Sequence, residues 1–256
     1  MRVIPLQSGS AGNCIYVEAN GIRLLFDAGI SGKQAQHRLA AQGSEIRGID
    51  AVIISHDHSD HIGSAGILGR KFGLPVHLTE PTWHAARHAL GEGDHIRHFQ
   101  SGEVLRFASV FGSVTVETMR TPHDAADGVV FVVDEGAHRV GILTDFGHVF
   151  PELEALVASL DAVYLESNHD DVMLENGPYP VFLKRRISGP GGHISNHESA
   201  RLIADHGRKL RWACLAHLSA NNNSPEIAYA THRATYGDDL PLLVAKRSAV
   251  SAPMVL

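Results

Sequence analysis

The chain has 256 residues, 44% of them apolar, and a formal net charge of −6 at pH 7. This composition excludes a disordered chain and gives no general basic balance for capturing nucleic acid. Two cysteines are too few for a disulfide framework, and we find neither a secretory signal nor an apolar run near the ~20 residues that span a bilayer. We therefore expect a cytoplasmic protein that does not contact a membrane.

Short strands and helices alternate along the whole chain. Short apolar or alternating runs between turn residues predict strands at 2–6, 14–18, 22–26, 49–55, 76–78, 113–119, 128–134, 138–144, 161–166 and 210–216. Helices are predicted at 32–42, 65–72, 82–90, 151–159, 197–207 and 225–236. No linker divides these elements, so we predict a single domain over 1–256 of the α/β class. Its two β-rich halves would form two packed sheets with helices outside.

The chain contains 18 histidines, and imidazole is the commonest metal ligand. Seven residues, 55–61, read Ser-His-Asp-His-Ser-Asp-His between an apolar strand and a predicted helix. In such a turn His56 and His58 can bind one ion, while Asp60 and His61 on the first helical turn bind a second. This ligand chemistry suits zinc, manganese or iron. The alternative is a solvated polar turn that happens to be rich in histidine.

The pattern H-x-H-x-D-H after an apolar strand resembles the signature of the metallo-β-lactamase superfamily, which implies a four-layer αββα sandwich. Further matches occur in the expected order, each near the end of a predicted strand: Asp27, His123, Asp145 and His217. Taken alone, Asp145 is also compatible with a turn former, and His217 with a packed histidine.

The resemblance implies a dinuclear site with two divalent ions, zinc or manganese, with iron also possible. Its implied ligands are His56, His58 and His123 for one ion, Asp60, His61 and His217 for the other, and Asp145 between the two. Asp27 is implied to orient a ligand histidine through that histidine's second nitrogen. Two such ions can share a hydroxide and stabilise both oxygens of a displaced group. Asp60 and Asp145 would therefore also be catalytic.

Three further segments, 8–13, 166–180 and 192–223, are similar to the YycJ/WalJ-type, nuclease-like subgroup of this superfamily. That similarity implies DNA as the substrate and a 5′-to-3′ exonuclease activity. A histidine at position 58 favours hydrolysis, because the oxygen-reducing di-iron relatives have glutamate there. His193 lies in a glycine-rich segment and is a candidate general acid, or else a histidine of a surface loop.

Other polar residues are candidates for substrate binding: Ser8, Ser10, Asn13, Asn168, His169, Ser195, Ser219 and Asn222. The loop 8–13 can form an anion-binding nest or an ordinary tight turn. Asn168 and His169 can line a cleft or cap the following segment, and Ser219 and Asn222 can bind phosphate or hold the His217 loop. The basic run 184–186 fits either phosphate contacts or a solvated helix face.

These observations predict a two-metal phosphodiesterase, foremost a DNA exonuclease. One alternative is a small-molecule hydrolase of the same fold that acts on a cyclic phosphodiester, a lactone or a thioester. Another is a histidine-rich metal-binding protein without catalysis. The predicted partner is DNA as substrate, and the sequence indicates no protein partner.

Overall fold

The computed structural model describes residues 1–91 and 93–256. The chain folds as two compact units. Unit 1 consists of Met1–Arg120, Ala125–Gly136 and Lys246–Leu256, and unit 2 of Thr121–Asp124 and Ala137–Ala245. The organisation as one domain over 1–256 stays a prediction.

Unit 1 is built from strands and four helices in its described residues. Its strands are β1 (Arg2–Gln7), β2 (Cys14–Ala19), β3 (Ile22–Phe26), β4 (Ala51–Ile53), β5 (Val76–Thr79), β6 (Ile96–Phe99), β7 (Val104–Ser109), β8 (Gly112–Arg120), β9 (Val129–Asp134) and β14 (Met254–Val255). Its helices are α1 (Gly32–Ala40), α2 (Ser59–Ile62), α3 (Ala65–Phe72) and α4 (Glu80–Leu90), with a 3₁₀ turn at Ile46–Gly48.

The first sheet of unit 1 has the strand order β14-β1-β2-β3-β4-β5-β6. Strands β14 to β3 pair antiparallel, whereas β3 to β6 pair parallel. Strands β7, β8 and β9 form an antiparallel meander. All three residues of β4, which lies in the parallel part, are buried, and this is why β4 is an uninterrupted apolar run.

One apolar core lies between this sheet and its helices. Leu25, Val52 and Leu78 from the strands pack with Leu39 of α1 and Leu68 of α3, and all five are buried. Helix α1 begins at a capping box, in which the Ser31 hydroxyl accepts from the amide of Gln34 and the Gln34 side chain accepts from the amide of Ser31.

Unit 2 carries the remaining elements. Its strands are β10 (Arg139–Leu143), β11 (Ala162–Glu166), β12 (Trp212–Ala216) and β13 (Leu242–Val244). Its helices are α5 (Pro151–Ser159), α6 (Asp171–Asn176), α7 (Val181–Ile187), α8 (Asn196–His206) and α9 (Pro225–Tyr236). The four strands are all parallel and lie in the order β13-β12-β11-β10. Helices therefore connect successive strands, as parallel pairing requires.

The predicted elements agree with the structure in type, and the differences have local causes. The strand predicted at 49–55 is only Ala51–Ile53, because the chain leaves the sheet early to form the histidine-rich loop. The sequence did not predict α6 and α7, which are short and lie within the polar stretch 168–196. It also did not predict β6, β7, β13 and β14. The two middle residues of β6 are exposed, and β13 has only three residues, all partly buried, so the periodicity of both strands is weak.

Candidate metal centre

Parallel pairing gathers the predicted ligands of unit 1 at one sheet edge. Strands β3 and β4 run parallel with Phe26 opposite Ile53. The carboxyl ends of neighbouring parallel strands lie at the same edge, so Asp27 and the loop that starts at Ser55 are neighbours. The short helix α2 then contains Asp60 and His61, which are on the first helical turn as the sequence predicted.

The Asp27 carboxylate contacts both Ser55 and His61 in this part of the site. Its Oδ1 accepts from the backbone amide of Ser55 at 2.8 Å and lies 2.9 Å from the Ser55 hydroxyl. Its Oδ2 lies 2.7 Å from Nδ1 of His61, and both side chains are buried. An imidazole that donates from Nδ1 keeps its lone pair on Nε2, which is the form that binds a metal. Asp27 is thus positioned as the predicted orienting residue.

The three histidines of the loop lie against one another. The ring centroids of His56 and His58 are 4.7 Å apart, and those of His56 and His61 are 4.2 Å apart. Nδ1 of His56 lies 2.9 Å from the Ser55 hydroxyl, so this hydroxyl contacts both Asp27 and His56. Asp60 Oδ2 lies 3.6 Å from Nε2 of His61. These contacts bring three imidazole rings and a carboxylate, all of them ligand types that zinc accepts, together in one turn of unit 1.

Two loops hold this turn in place by close backbone contact. The amide of Asn13 donates to the Asp60 carbonyl at 2.7 Å, and the amide of Ala28 donates to the His61 carbonyl at 2.6 Å. A Cβ atom on Gly29 would lie 1.7 Å from the Asp60 carbonyl oxygen. Only glycine therefore permits the segment after β3 to approach the metal-binding turn so closely.

In unit 2 the ends of three parallel strands carry the candidate ligands. Asp145 lies two residues beyond β10, Glu166 is the last residue of β11, and His217 follows β12 directly. Asp145, Glu166, His193 and His217 each offer a ligand atom, and these atoms all lie within 4.8 Å of one another. The edge that collects them is the one where parallel sheets bind their ligands.

Glu166 is a functional residue to which the sequence reasoning gave no role. It is fully buried, and its Oε1 lies 2.8 Å from Nδ1 of His193 and 2.9 Å from Nδ1 of His217. Burial alone would raise the pKa of this carboxyl, but the charge of His193 and hydrogen bonds from both histidines hold the pKa below its ordinary value. The ionised carboxylate therefore orients two imidazoles at once. A carboxylate at the end of a buried apolar strand was the signal in the sequence.

His123 and His193 lie near His217 and Asp145 in unit 2. Nδ1 of His123 donates to the Gly192 carbonyl at 3.0 Å, and its Nε2 lies 3.9 Å from Asp145 Oδ1. The ring centroids of His123 and His193 are 5.1 Å apart, and those of His193 and His217 are 5.2 Å apart. In His123, His193 and His217 alike, Nδ1 makes a protein contact, which fixes the orientation of the ring and of Nε2, the other possible ligand atom.

Three of the predicted site residues have a strained backbone conformation. Among the described residues, only four other than glycine have a left-handed φ: Asn20 (49°), Asp27 (61°), Asp145 (66°) and His217 (53°). Asn20 lies in the tight hairpin between β2 and β3, where asparagine is favoured. The other three follow buried strands at predicted site positions, and such strain concentrates at functional sites. Asp145 can therefore form a turn after its strand and still be a metal ligand.

The donor set suits a divalent transition metal in both units. Buried imidazole nitrogens and carboxylate oxygens are the ligands that zinc, manganese and iron prefer. Neither cysteine takes part: both thiols are free and buried, and burial raises the pKa of the Cys214 thiol to about 12.

Several residues predicted to bind substrate make hydrogen bonds within the protein. Asn13 accepts from the amide of Gly9 and lies 2.9 Å from Nε2 of His61. Asn168 donates to the His217 carbonyl at 2.9 Å, and the amide of Asn222 donates to the Ser219 hydroxyl at 3.2 Å. These bonds favour the interpretation in which Asn168, Ser219 and Asn222 hold the His217 loop.

The loop 8–13 has few free amides for a phosphate. The amides of Ser8, Gly9, Gly12 and Asn13 already donate within unit 1, and Ser10 is exposed. This pattern favours the tight turn over the anion nest. In unit 2, His169 and Ser195 line a polar cavity of about 510 Å³ together with His197 and Arg201.

Comparisons with known proteins agree on the family. Residues 8–204 match the model of the metallo-beta-lactamase superfamily. The chain belongs to the metallo-beta-lactamase superfamily. Exodeoxyribonuclease YycJ of Bacillus anthracis is 36% identical over 226 residues, covering 87% of this chain and 84% of the relative. Exodeoxyribonuclease WalJ of Streptococcus pneumoniae serotype 2 is 36% identical over 233 residues, covering 88% of this chain and 84% of the relative. The predicted resemblance to the YycJ/WalJ-type subgroup is thereby confirmed.

Solved structures show the same superfamily fold. The metallo-beta-lactamase fold protein YhfI of Bacillus subtilis superposes with a TM-score of 0.72 at 18% identity, covering 98% of both chains. Zinc-bound PqqB of Methylobacterium extorquens superposes with a TM-score of 0.72 at 18% identity, covering 100% of both chains. The predicted α/β metallo-β-lactamase fold is confirmed. No helix in residues 1–91 or 93–256 has the length and apolar character needed to cross a bilayer.

Proposed function

We propose that this member of the metallo-beta-lactamase superfamily, a metal-dependent hydrolase, is a dinuclear phosphodiesterase that degrades DNA from an end in the 5′-to-3′ direction. The observation that carries the hydrolytic part is the buried Glu166 carboxylate, which holds His193 and His217 by their Nδ1 atoms beside Asp145. The similarity to relatives named exodeoxyribonucleases supports DNA as the substrate.

The ligands in this proposal are the seven residues that the superfamily motifs indicate: His56, His58, Asp60, His61, His123, Asp145 and His217. When bound, two divalent ions, zinc or manganese, supply a deprotonated water near neutral pH and stabilise the charge that develops on a phosphate. Asp27 and Glu166 hold ligand histidines in the Nδ1-donating form.

His193 is the proposed general acid. Its side chain is less buried than those of His123 and His217, and its Nδ1 is held by Glu166. Its Nε2 can therefore carry a proton to a departing alkoxide oxygen, while Glu166 stabilises the protonated ring. Asp145 Oδ1 lies 3.6 Å from Nδ1 of His193 and 3.3 Å from Nδ1 of His217, so a second carboxylate lies beside both rings.

The test is degradation of DNA labelled at the 5′ or the 3′ end, single-stranded and double-stranded, by protein loaded with zinc or manganese. We expect mononucleotides to be released first from the 5′ end. His193→Gln should lower the rate by about 10²–10⁴-fold, and His88→Gln, an exposed histidine on α4, is the matched control.

Absence of cleavage by protein that retains about two ions per chain would refute the nuclease proposal. Hydrolysis of a cyclic phosphodiester, a lactone or a thioester by the same preparation would then support the small-molecule alternative. Binding of many more ions, without any hydrolysis, would support the metal-binding alternative.

A further inference from the structure

The two short helices between β11 and α8 present an unusual surface in unit 2. No residue of α7 is buried. Its first residues, Val181 and Phe182, are 63% and 74% exposed, and Val172 of α6 is 65% exposed. The three consecutive basic residues 184–186 follow on the same helix, and the sequence has no other run of three. We call Val172, Val181, Phe182 and Arg185 the α6–α7 surface.

Two of the three basic side chains have structural partners, and one does not. Lys184 donates to the Glu175 carbonyl at 2.6 Å and so ties α7 to α6. Arg186 forms an ion pair with Asp124 at 2.5 Å. Arg185 is exposed and has no hydrogen bond or ion pair within the described part of the chain. Arg185 lies three residues after Phe182 on α7, a spacing that places both side chains on neighbouring positions of the helix surface.

Hydrogen bonds connect this surface to the candidate catalytic loops of unit 2. The amide of His193 donates to the Ile187 carbonyl at 2.8 Å, at the end of α7. Arg186 holds Asp124, the neighbour of His123. The Asn221 side chain donates to the Tyr179 hydroxyl at 2.8 Å, which ties the turn between α6 and α7 to the loop after His217. The α6–α7 surface is thus continuous with the loops that carry His123, His193 and His217.

We infer that the α6–α7 surface binds the single strand of DNA adjacent to the scissile phosphate, with Phe182 stacking on a base and Arg185 contacting a backbone phosphate. The inference rests on the proposed function. Single-stranded nucleic acid is recognised by aromatic stacking platforms beside basic side chains. A paired duplex hides its base faces, so an exposed ring favours an unpaired strand over a double helix. In a chain of net charge −6, the only basic triplet supplies the charge complementarity.

The test measures binding rather than cleavage. A fluorescent single-stranded DNA with phosphorothioate linkages, which resist hydrolysis, is titrated with the metal-loaded protein and followed by anisotropy. Phe182→Ala should raise the Kd about tenfold, because one stacked base contributes roughly a factor of 5 to 150. Arg185→Gln should also raise the Kd, because it removes one phosphate contact. For a blunt duplex of the same length, Phe182→Ala should change the Kd less than twofold.

Matched controls are Phe111→Ala, an aromatic residue of unit 1 that is 78% exposed, and Arg208→Gln, an exposed arginine of unit 2. Both should leave the Kd within twofold of wild type. Equal Kd values for Phe182→Ala and Phe111→Ala would overturn the inference, as would a Phe182→Ala effect confined to RNA of the same sequence. If wild-type protein binds as expected but does not degrade unmodified DNA, the proposed function fails while the binding surface stands.

Discussion

At the scale of the residue, both units use a buried carboxylate to fix the protonation of histidine rings. Asp27 accepts from one imidazole, and Glu166 accepts from two. A carboxylate in this position selects the ring nitrogen that stays free and increases its basicity. The two carboxylates come from the ends of β3 and β11, so a buried strand holds each of them rigidly.

We predict that Glu166→Gln, which keeps the shape but removes the charge, weakens metal binding or DNA hydrolysis about 10–100-fold. The amide oxygen in the place of Oε1 still accepts from both imidazoles but carries no negative charge, and an NH₂ group in the place of Oε2 opposes the amide of Phe146. Metal content by elemental analysis and the hydrolysis rate check this together. Glu175→Gln, an exposed change on α6, should leave both values unchanged. Wild-type metal content and rate in Glu166→Gln would contradict the role assigned to Glu166.

At the scale of the element, helix α8 shows how one residue can suggest two roles. Ser195 was predicted to bind substrate, but it caps α8. Its hydroxyl accepts from the amide of Glu198, and the Glu198 carboxylate accepts from the amide of Ser195 at 2.8 Å. This capping box satisfies two amides at the start of the helix.

Ser195→Ala is therefore expected to lower the free energy of unfolding by about 1 kcal/mol, and Ser195→Asn to restore most of it, because asparagine caps helices well. Urea unfolding measures both changes. If Ser195 binds substrate instead, Ser195→Ala should raise the KM for DNA without changing stability. Comparing the two measurements on the same variant separates capping from binding.

Helix α9 gives the fold a dependence on pH through a single residue. His232 is fully buried between Ser167 and Tyr236, and burial, followed by the charges of Arg233 and His197, lowers its pKa to about 3. In the unfolded chain the pKa of His232 is near 6.5, so below this pH the unfolded chain binds a proton that the folded chain does not bind. The contribution of His232 to the free energy of unfolding is therefore fully present above pH ~6.5 and decreases as the pH falls toward 3.

Between pH 7.5 and pH 5, we expect wild-type protein to lose roughly 2 kcal/mol more stability than His232→Gln, since the slope is about 1.4 kcal/mol for each pH unit below 6.5. Urea unfolding at the two values gives the difference. The exposed His88→Gln variant should lose as much as wild type. Equal losses in His232→Gln and wild type would show that His232 titrates normally in the folded protein.

At the scale of the whole molecule, the proposed function requires an acidic chain to bind an acidic substrate. A net charge of −6 gives no overall attraction for DNA, so the proposals place the attraction locally, at the metal ions and at the α6–α7 surface. Each phosphate neutralised on a single strand contributes about −0.7 to the slope of log K against log salt concentration. A local mode of binding therefore implies a shallow slope.

We predict a slope of about −1 to −2 for single-stranded DNA, and a reduction of about 0.7 in Arg185→Gln. Anisotropy titrations between low and moderate salt provide both values. Arg208→Gln is again the control and should keep the wild-type slope. A slope steeper than about −4 would indicate many phosphate contacts and contradict local binding.

The sequence by itself determined the family, the fold class and the candidate ligands. The dense pattern from His56 to His61 needs a strand before it and a helix after it, and both were readable from local periodicity. Asp27, Asp145 and His217 were found because each follows a strong apolar strand. Local patterns sufficed here because ligands at the ends of parallel strands are placed by the strands themselves.

Only the tertiary structure decided which polar residues surround the ligands and what they do. The double role of Glu166 depends on β11 lying beside both β10 and β12, a relation between residues more than twenty positions apart. The contacts of Asn13 with His61 and of Asn168 with His217 join segments that are far apart in the sequence. Phe182 and Arg185 became binding candidates only once their exposure was known. A sequence reports which groups are polar, but burial and partners are decided by packing.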